Sequence, residues 1–350
     1  MLKRLRRMFS DDLAIELGTV NTLIYQAGEG LVVNEPSLVA VHNQTTRTHR
    51  DRDIAAVGND AKRMLGRMPG SYSAVKPVQD GMIADFILTE KMLQYFMHHI
   101  QRNRLMRWSP RMLICVRCGS TEVERRVIRE VALSAGARDV LLIEEPMAAA
   151  LGADVPVSDA HGSMIVDLGG GTTQAALISM NGVVHAESLR MGGDHLNKSL
   201  INYVRRKYLI VISETTAEHI KQQLGSAYPQ EEISELEVGG HHLTGGVPCT
   251  LVLNSDEIYE VLRQPLRKLA DPLRRVLDQT PPELGIDVRK RGIMLTGGGA
   301  LLKGVDRMLT DEIGMPIIIA EEPLTCVARG AGKALAMLRK KGVDLFVPIQ

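Results

Sequence analysis

The chain has 350 residues, of which 45% are hydrophobic and 24% charged, and 42 basic against 41 acidic residues leave a formal net charge of +1. A chain this apolar can bury a core, which excludes collagen-like, mucin-like and disordered compositions, and its near-zero charge argues against a dedicated nucleic-acid binder. No run approaches the roughly 18–20 apolar residues of a membrane-spanning helix, and the length indicates two domains or one large bilobed unit.

The first ten residues carry four basic side chains and no acid, so a tip of charge +4 precedes a body of 340 residues with charge −3. On a helix, the apolar residues of this tip lie on one face and the basic residues on the other, as in helices that lie in a membrane surface. A frayed, solvated chain start is the alternative. Nine residues bind weakly alone, so many copies would have to act together. The residues predicted to contact an anionic membrane are Leu2, Lys3, Arg4, Leu5, Arg6, Arg7, Met8 and Phe9.

Hydrophobic periodicity and turn residues predict alternating strands and helices. In chain order we expect strands at 15–19, 21–25 and 31–33, a polar loop at 42–53, a helix at 90–102 capped by Thr89 with solvated His98 and His99, a strand at 111–116, a helix from the Thr121–Glu124 capping box to about 135, and a strand at 140–143 followed by an Ala-rich helix. Further on we expect strands at 164–168, 174–179 and from 183, helices at 195–208, 213–224 and 256–278, the last punctuated by Pro265 and Pro272, then a strand at 292–296, a helix at 300–312, a strand at 316–319 and a helix at 325–339.

The four cysteines include a CxxC pair, Cys115 and Cys118, which can indicate a redox or zinc site. We favour a buried strand instead, because no second pair completes a tetrahedral zinc site and residues i and i+3 of a strand point to opposite faces. Scattered cysteines are typical of a reducing cytoplasm, and basic residues interrupt any secretory signal at the start.

One pattern occurs twice. Residues 15–25 predict a strand, a tight turn and a second strand around Glu16, and residues 164–179 repeat this order around Asp167, 151 positions later. A repeat this long indicates two similar α/β lobes rather than a solenoid.

Three predicted turns after strands are rich in small and polar residues: 18–21, 169–173 and 297–300. Glycines let backbone N–H groups approach a phosphate closely, and Thr or Asn adds donors. An acid next to such a cradle would repel the anion unless Mg²⁺ lay between them, and Glu16 and Asp167 occupy that position in the first two turns. The pattern therefore predicts a Mg-nucleotide clamped between two lobes. It is neither a Walker loop nor a dinucleotide fingerprint.

Longer blocks extend this pattern along most of the chain: DLAIELGTVNTLIY, VVNEPSLVAV, AVGNDAKRMLGR, DGMIADF, GSTEVERR, IEEPMAAALGA, MIVDLGGGTTQ, MGGD, INYVRRKY, IKQQLGSAYP, MLTGGGALLKGVDRML and EEPLTCVARGAGKAL. By these blocks the chain resembles the MreB family of bacterial actins, within the actin/Hsp70/sugar-kinase superfamily. The resemblance implies an α/β, actin-like ATPase fold of two lobes with duplicated ribonuclease H-like domains and a nucleotide cleft between them. It also implies lobe I over 11–152 with a small subdomain at 34–74, lobe II over 153–324 with a subdomain at 189–252, and a C-terminal helix, 325–350, that returns to lobe I.

The resemblance further implies ATP and Mg²⁺ as cofactors. Phosphate 1 would be lined by Thr19, Val20 and Asn21, phosphate 2 by Gly169, Gly170, Gly171 and Thr172, and adenosine by Glu218, Lys221, Gly298, Gly299, Ala300 and Leu301. Asp167 would hold Mg²⁺ through water, with Glu16 in the place of the family's Asp. Glu145 and Thr172 would position the attacking water, although Glu145 also suits the charge of a helix N-terminus before Pro146.

Several residues depart from the family pattern. Glu16 extends the carboxylate by about 1.3–1.5 Å relative to Asp, a shift that octahedral Mg²⁺ tolerates poorly. Val20 replaces the family's Ala, Gln174 replaces a carboxylate, and Arg117 brings a cation near the predicted site. These departures lead us to expect ATP binding with slow hydrolysis, so that ATPase activity itself is uncertain.

The leading interpretation is a filament-forming ATPase of the cytoskeleton at the inner face of the cytoplasmic membrane, which organises cell-wall synthesis and rod shape. The resemblance implies assembly with itself into a double filament, an anionic membrane surface, and transmembrane shape-complex proteins of the RodZ/MreC type as partners, and no nucleic acid. One alternative is a hydrolysis-impaired scaffold, favoured by Glu16 and Gln174. An Hsp70-type chaperone would need a further substrate domain, and a sugar kinase a sugar-activating base.

Overall fold

The computed structural model describes residues 12–43, 53–67, 69–102, 109–338 and 346–347. The predicted membrane-binding residues 2–9 and most of the predicted loop 42–53 lie outside this described part. Two compact units divide the chain. Unit 1 comprises Met1–Ala160, Ser179–Val183 and Thr325–Gln350, and unit 2 comprises His161–Ile178 and Val184–Leu324. In the described ranges, no helix has the length and apolar character needed to cross a bilayer.

Unit 1 is built on a five-stranded sheet. Its elements, in chain order, are β1 (Leu13–Leu17), β2 (Asn21–Gln26), β3 (Gly30–Pro36), β4 (Val39–His42), β5 (Ile54–Val57), α1 (Asn59–Met64), β6 (Tyr72–Val75), β7 (Val78–Gln79), β8 (Met82–Ile83), α2 (Phe86–Ile100), β9 (Arg111–Val116), α3 (Glu122–Ser134), β10 (Asp139–Glu144) and α4 (Glu145–Gly152). The main sheet has the order β10-β9-β1-β2-β3, and β4, β5 and β6 form a separate small sheet. The last helix of the described chain, Cys326–Leu338, also belongs to unit 1.

The starts of α2 and α3 in unit 1 follow from side-chain capping. The predicted capping box of α3 is confirmed, because Thr121 accepts from the Glu124 backbone N–H while the Glu124 side chain accepts from Thr121 N. The prediction that Thr89 caps α2 is wrong. The helix begins one turn earlier, where Asp85 Oδ1 accepts from Leu88 N, and Thr89 lies buried inside it with its hydroxyl donating to Asp85 O. An acidic cap is as good as threonine, so the earlier residue prevails.

Unit 2 repeats the strand order of unit 1. Its elements are β11 (Ser163–Leu168), β12 (Thr173–Ser179), β13 (Gly182–Leu189), α5 (Gly193–Tyr208), β14 (Ile210–Val211), α6 (Glu214–Leu224), β15 (Glu235–His242), β16 (Pro248–Asn254), α7 (Ser255–Lys268), α8 (Asp271–Asp278), α9 (Pro282–Arg291), β17 (Ile293–Thr296), α10 (Val305–Ile313) and β18 (Ile317–Ile319), after which α11 (Cys326–Leu338) closes the series in unit 1. The sheet order β18-β17-β11-β12-β13 matches β10-β9-β1-β2-β3 of unit 1 position by position.

The repeated register confirms the duplication predicted from the sequence. In unit 1, β1 pairs with β2 in antiparallel register and sets Glu16 opposite Leu23. In unit 2, β11 pairs with β12 in the same way and sets Asp167 opposite Gln174. Each central strand also has a parallel neighbour, β9 or β17. The predicted hairpin between β12 and β13 is confirmed, but its turn lies one position earlier than Asn181–Gly182. The two turn residues are Met180 and Asn181, which have the positive φ of a type I′ turn, and Gly182 already begins β13.

Two helix predictions in unit 2 are wrong. The helix expected at 256–278 is two helices, and the break falls after Lys268 rather than at Pro265, which lies inside α7. Pro272 instead occupies the first turn of α8, where its missing N–H costs no hydrogen bond. The helix expected at 300–312 begins only at Val305, because a 3₁₀ turn over Gly298–Leu301 and a left-handed Gly304 precede it.

The sequence reasoning also missed α9 and the β15–β16 hairpin. The hairpin packs Val238 and Leu253 into the core of unit 2. Its alternating pattern is interrupted by Gly239 and Gly240, which weakens the local strand signal.

Glycines allow α4 and α11 of unit 1 to pack against each other. A Cβ on Gly330 would lie 1.7 Å from the carbonyl oxygen of Ala148, and a Cβ on Gly152 would lie 1.8 Å from the carbonyl oxygen of Cys326. The two carbonyl oxygens belong to helix backbone and could move away only if a helix moved. Both positions therefore require glycine.

We therefore expect Gly330→Ala to lower the free energy of unfolding by about 3 kcal/mol, as severe overpacking does. Gly285→Ala in α9 is the matched control, since its Cβ would meet nothing closer than 3.6 Å. That control should be neutral or stabilising by up to about 1 kcal/mol through helix propensity. Urea unfolding of both variants checks this, and equal midpoints would contradict the packing argument.

Candidate functional site

The first glycine-containing turn, Gly18–Asn21, joins β1 to β2 in unit 1 and is named turn 1. A Cβ on Gly18 would lie 2.6 Å from the carbonyl oxygen of Asn21, so the turn closes only around glycine. The Ser37 hydroxyl donates to Gly18 O at 2.6 Å, and Gly81 N donates to the Thr19 hydroxyl at 3.1 Å. Thr19 is buried and retains its hydroxyl proton to donate, whereas Val20 is 39% exposed.

The second turn, Gly169–Thr172, joins β11 to β12 in unit 2 and is named turn 2. It closes on itself through Gly169 N and Thr172 O at 2.8 Å. The start of α5 holds it from one side, because Gly193 N donates to Gly169 O at 3.1 Å and Asp194 N donates to Gly170 O at 2.8 Å. A Cβ on Gly192 would lie 2.4 Å from Gly169 O, so this approach also needs glycine.

The third turn, Gly297–Leu301, follows β17 and is named turn 3. Gly297 has φ of 83°, and a Cβ there would lie 2.4 Å from Leu168 O and 2.9 Å from Asp167 Oδ1. A Cβ on Gly299 would lie 2.7 Å from the Leu168 Cβ. Ala300 is buried and Leu301 is 63% exposed. Turns 2 and 3 therefore meet at the end of β11.

Asp167 lies at that meeting point with its carboxyl group buried. Burial raises the pKa of Asp167 to about 6, and the hydrogen bond from Thr296 Oγ1, 2.9 Å from Asp167 Oδ1, lowers it only in part. A carboxyl group held away from water in this way gains from a nearby cation, which favours its ionised form. Sequence reasoning did not assign Thr296 a role.

Two of the six residues assigned to adenosine, Glu218 and Lys221, lie one turn apart on α6. Lys221 Nζ is 2.7 Å from Glu218 Oε2 and 3.3 Å from Gly193 O, so this pair lies beside the segment that holds turn 2. Asn197 Nδ2 donates to the same Glu218 oxygen at 2.7 Å. Although burial opposes it, these contacts lower the pKa of Glu218. The sequence reasoning did not single out Asn197 or Gly192. A signal for Gly192 was present, because it lies in the MGGD block at 191–194.

The acids of unit 1 lie at the carboxyl ends of its parallel strands. Glu16 on β1 is half-buried and faces Cys115 of β9 in register. Glu145 is the first residue of α4, directly before Pro146, so it occupies the helix N-terminus that the alternative interpretation described. Burial raises the pKa of neighbouring Glu144, and the charge of Arg125 opposes that shift. Thr172, the other predicted catalytic residue, is buried in turn 2 of unit 2.

The CxxC pair is buried in unit 1. Cys115 lies in β9, but Cys118 lies beyond the strand, which stops at Val116, so the expected strand geometry does not extend to it. Among the described residues, no group of three or more His, Cys, Asp and Glu side chains could hold a metal ion.

The residues present are compatible with a Mg-nucleotide. Mg²⁺ keeps several waters and takes one or two carboxylates plus phosphate oxygens, so a dense acidic cluster is not required. Glu16 in unit 1 and Asp167 in unit 2 are the carboxylates that the sequence predicted for this role, and the buried state of Asp167 is the observation that favours a cation. Gly18 in turn 1 and Gly192 beside turn 2 leave no room for a Cβ, and backbone N–H groups on glycines can approach an anion closely.

Solved structures share this architecture. MreB5 of Spiroplasma citri bound to ADP aligns with a TM-score of 0.87 at 33% identity over 95% of this chain and 99% of that one. A MamK double helical filament aligns with a TM-score of 0.75 at 18% identity over 93% and 99% of the two chains, which shows the fold alone. The duplicated sheets with their glycine turns thus define an actin-like protein.

Sequence comparison narrows this class to one family. The model of the MreB/Mbl protein family matches residues 10–342. The cell shape-determining protein MreB of Escherichia coli (strain K12) is 57% identical over 346 residues, or 99% of each chain. The chain belongs to the MreB/Mbl family of cell shape-determining proteins, which confirms the resemblance drawn from its motifs.

Asp167 leads to a prediction about stability against pH in the metal-free protein. The unfolded carboxyl ionises near its usual 3.8, while the folded one keeps its proton until about 6, so this residue costs stability as pH rises through that interval. Asp167→Asn abolishes the cost. Relative to the native chain, we expect its free energy of unfolding to improve by about 2.4 kcal/mol between pH 4 and 7.

The measurement is urea unfolding in EDTA across that range. Asp287→Asn is the control, because the hydrogen bond from Gly162 N lowers the pKa of Asp287, and its removal should bring no such gain. A pH-independent difference for Asp167→Asn would contradict the burial argument.

Proposed function

We propose that this protein is an ATP-binding, filament-forming bacterial actin at the inner face of the cytoplasmic membrane, where it organises cell-wall synthesis and rod shape. The observation that carries the proposal is the unit 2 cradle, in which turn 2 is held by the start of α5 beside the buried carboxyl of Asp167. Family membership and the nucleotides in MreB5, which was solved with ADP and with AMPPNP, support the ATP-binding part.

The loops of both units would contact the nucleotide. In unit 2, turn 2 would bind one phosphate, while Glu218, Lys221 and turn 3 would contact adenosine. In unit 1, Thr19, Val20 and Asn21 of turn 1 would bind another phosphate through their backbone N–H groups and through the Thr19 hydroxyl. Mg²⁺, held through water by Asp167 and Glu16, would neutralise phosphate charge when bound.

Hydrolysis, where it occurs, would depend on positioning rather than covalent chemistry. Glu145 and Thr172 are the residues proposed to orient the attacking water. The native chain should turn over slowly, because Glu16 reaches further than Asp and Gln174 lacks a charge. Gln174 is fully buried and lies opposite Asp167 in register, a position at which side chains on neighbouring strands are close together.

Assembly and location complete the proposal. Membership of the actin-like MreB/Mbl family supports self-assembly, and we propose a double filament of this chain. The basic amphipathic residues 2–9 would anchor the filament to anionic lipid, with many weak contacts acting together. Transmembrane proteins of the RodZ/MreC type would be its partners in the shape complex.

Sedimentation with ATP and anionic vesicles tests this function. We expect the full chain to pellet with nucleotide and to co-sediment with vesicles, and a variant that lacks residues 2–9 to pellet with nucleotide but leave the vesicles. Neutral phosphatidylcholine vesicles are the control. Failure to pellet with any nucleotide would overturn the filament, and vesicle binding by the shortened variant would overturn the anchor.

The slow-turnover proposal has its own test. The double variant Glu16→Asp plus Gln174→Glu should release phosphate several-fold faster than the native chain in Mg²⁺, because it brings a carboxylate to normal reach and adds a second negative charge beside the metal. Without metal, the carboxylate introduced by Gln174→Glu would repel Asp167, so the gain should vanish in EDTA. Phosphate release at or below the native rate would contradict the proposal.

A scaffold that binds nucleotide and partners without useful turnover is the second candidate, and Gln174 is the observation that favours it. This candidate also predicts nucleotide-dependent pelleting. The double variant Glu16→Asp plus Gln174→Glu distinguishes the two candidates. A scaffold whose other parts have diverged would gain no ATPase activity from these two substitutions.

A further inference from the structure

Arg117 follows directly after β9 in unit 1, at the edge where the parallel strands of the main sheet end. In register, Cys115 lies between Glu16 of β1 and Ile143 of β10, and Val116 lies opposite Glu144. The next residue is therefore carried to the same edge as Glu16 and Glu145.

The Arg117 side chain is buried to about nine-tenths, with 10% of it exposed. Its Nε is enclosed and has no hydrogen-bond acceptor among the described residues. Its other contacts are long: Nη1 lies 3.4 Å from Cys118 O, and Nη2 lies 3.5 Å from Glu124 Oε2.

Glu124 compensates this charge only weakly. Its Oε2 already accepts from Thr121 N at 2.7 Å in the capping box of α3, a shorter contact than the one to Arg117. The guanidinium also lies near the N-terminus of α3, where the helix dipole is positive and disfavours a cation. A buried guanidinium has five N–H donors in a fixed fork and is costly to keep without a strong acceptor.

We propose that Arg117 is a ligand of the γ-phosphate of a bound nucleoside triphosphate. This inference rests on the proposed function and adds a residue to its site. A phosphate oxyanion can accept two parallel hydrogen bonds from the Nη groups of the guanidinium and supplies the strong acceptor that the buried charge lacks. The γ-phosphate is the group concerned, because Arg117 shares its sheet edge with Glu145, the residue proposed to orient the water that attacks this phosphate.

Two consequences follow from this role. Arg117 distinguishes nucleoside triphosphate from diphosphate, since only the triphosphate carries the group that it contacts. It also supplies part of the charge neutralisation without a metal, so that triphosphate binding persists in EDTA to a degree that depends on this residue.

Isothermal titration with AMPPNP and with ADP, each in Mg²⁺ and in EDTA, tests the role. We expect Arg117→Gln to weaken AMPPNP binding about 10- to 100-fold, the range for a charge-assisted hydrogen-bond pair, and ADP binding less than about threefold. Arg117→Lys keeps the charge without the fork and should lose several-fold for AMPPNP alone. In EDTA the AMPPNP preference should disappear in Arg117→Gln.

Arg111→Gln is the matched control. Arg111 lies at the other end of β9 and pairs with Asp139 at 3.0 Å, so its loss should change neither affinity. Equal weakening of AMPPNP and ADP, or no weakening, in either Arg117 variant would overturn the assignment. Absence of nucleotide binding by the native chain would instead overturn the proposed function.

Discussion

The close approach of Gly192 to turn 2 is the contact on which the unit 2 site depends. Without a side chain at Gly192, the start of α5 comes near enough for its backbone N–H groups to bond to Gly169 O and Gly170 O. Those bonds fix one side of turn 2. The same segment meets Lys221 through Gly193 O, so α5, α6 and turn 2 share one hydrogen-bonded junction.

The two units apply one strand order to different side-chain chemistry. In both, the acid of the central strand lies two residues before a turn and faces the antiparallel partner strand. Opposite Glu16 is the buried, apolar Leu23, whereas opposite Asp167 is the buried amide of Gln174. Asp167 also accepts a hydrogen bond from the hydroxyl of Thr296 on the neighbouring parallel strand, where Glu16 faces Cys115. Duplication therefore preserved the backbone cradle while the environments of the two carboxyl groups diverged.

Charge balance links the site residues. Gln174 leaves one fewer negative charge beside Asp167, and Arg117 adds a buried positive charge at the edge of the unit 1 sheet. Both changes favour a bound anion over a bound cation. On the proposed function, this balance suits a protein that holds its nucleotide longer than it processes it, and filament assembly does not by itself require fast turnover.

The sequence alone determined the features that depend on local signals: the strand–turn–strand repeat around Glu16 and Asp167, the Thr121 capping box, the Asn181 turn and the family itself. Local signals failed where two candidates competed, as with Asp85 and Thr89, or where glycines interrupted a strand, as in β15. The contacts that shape the site came only from the tertiary structure. Thr296 reaches Asp167 across 129 positions and Asn197 reaches Glu218 across 21, and no periodicity within one segment encodes which distant side chain will fill the space beside a buried carboxylate.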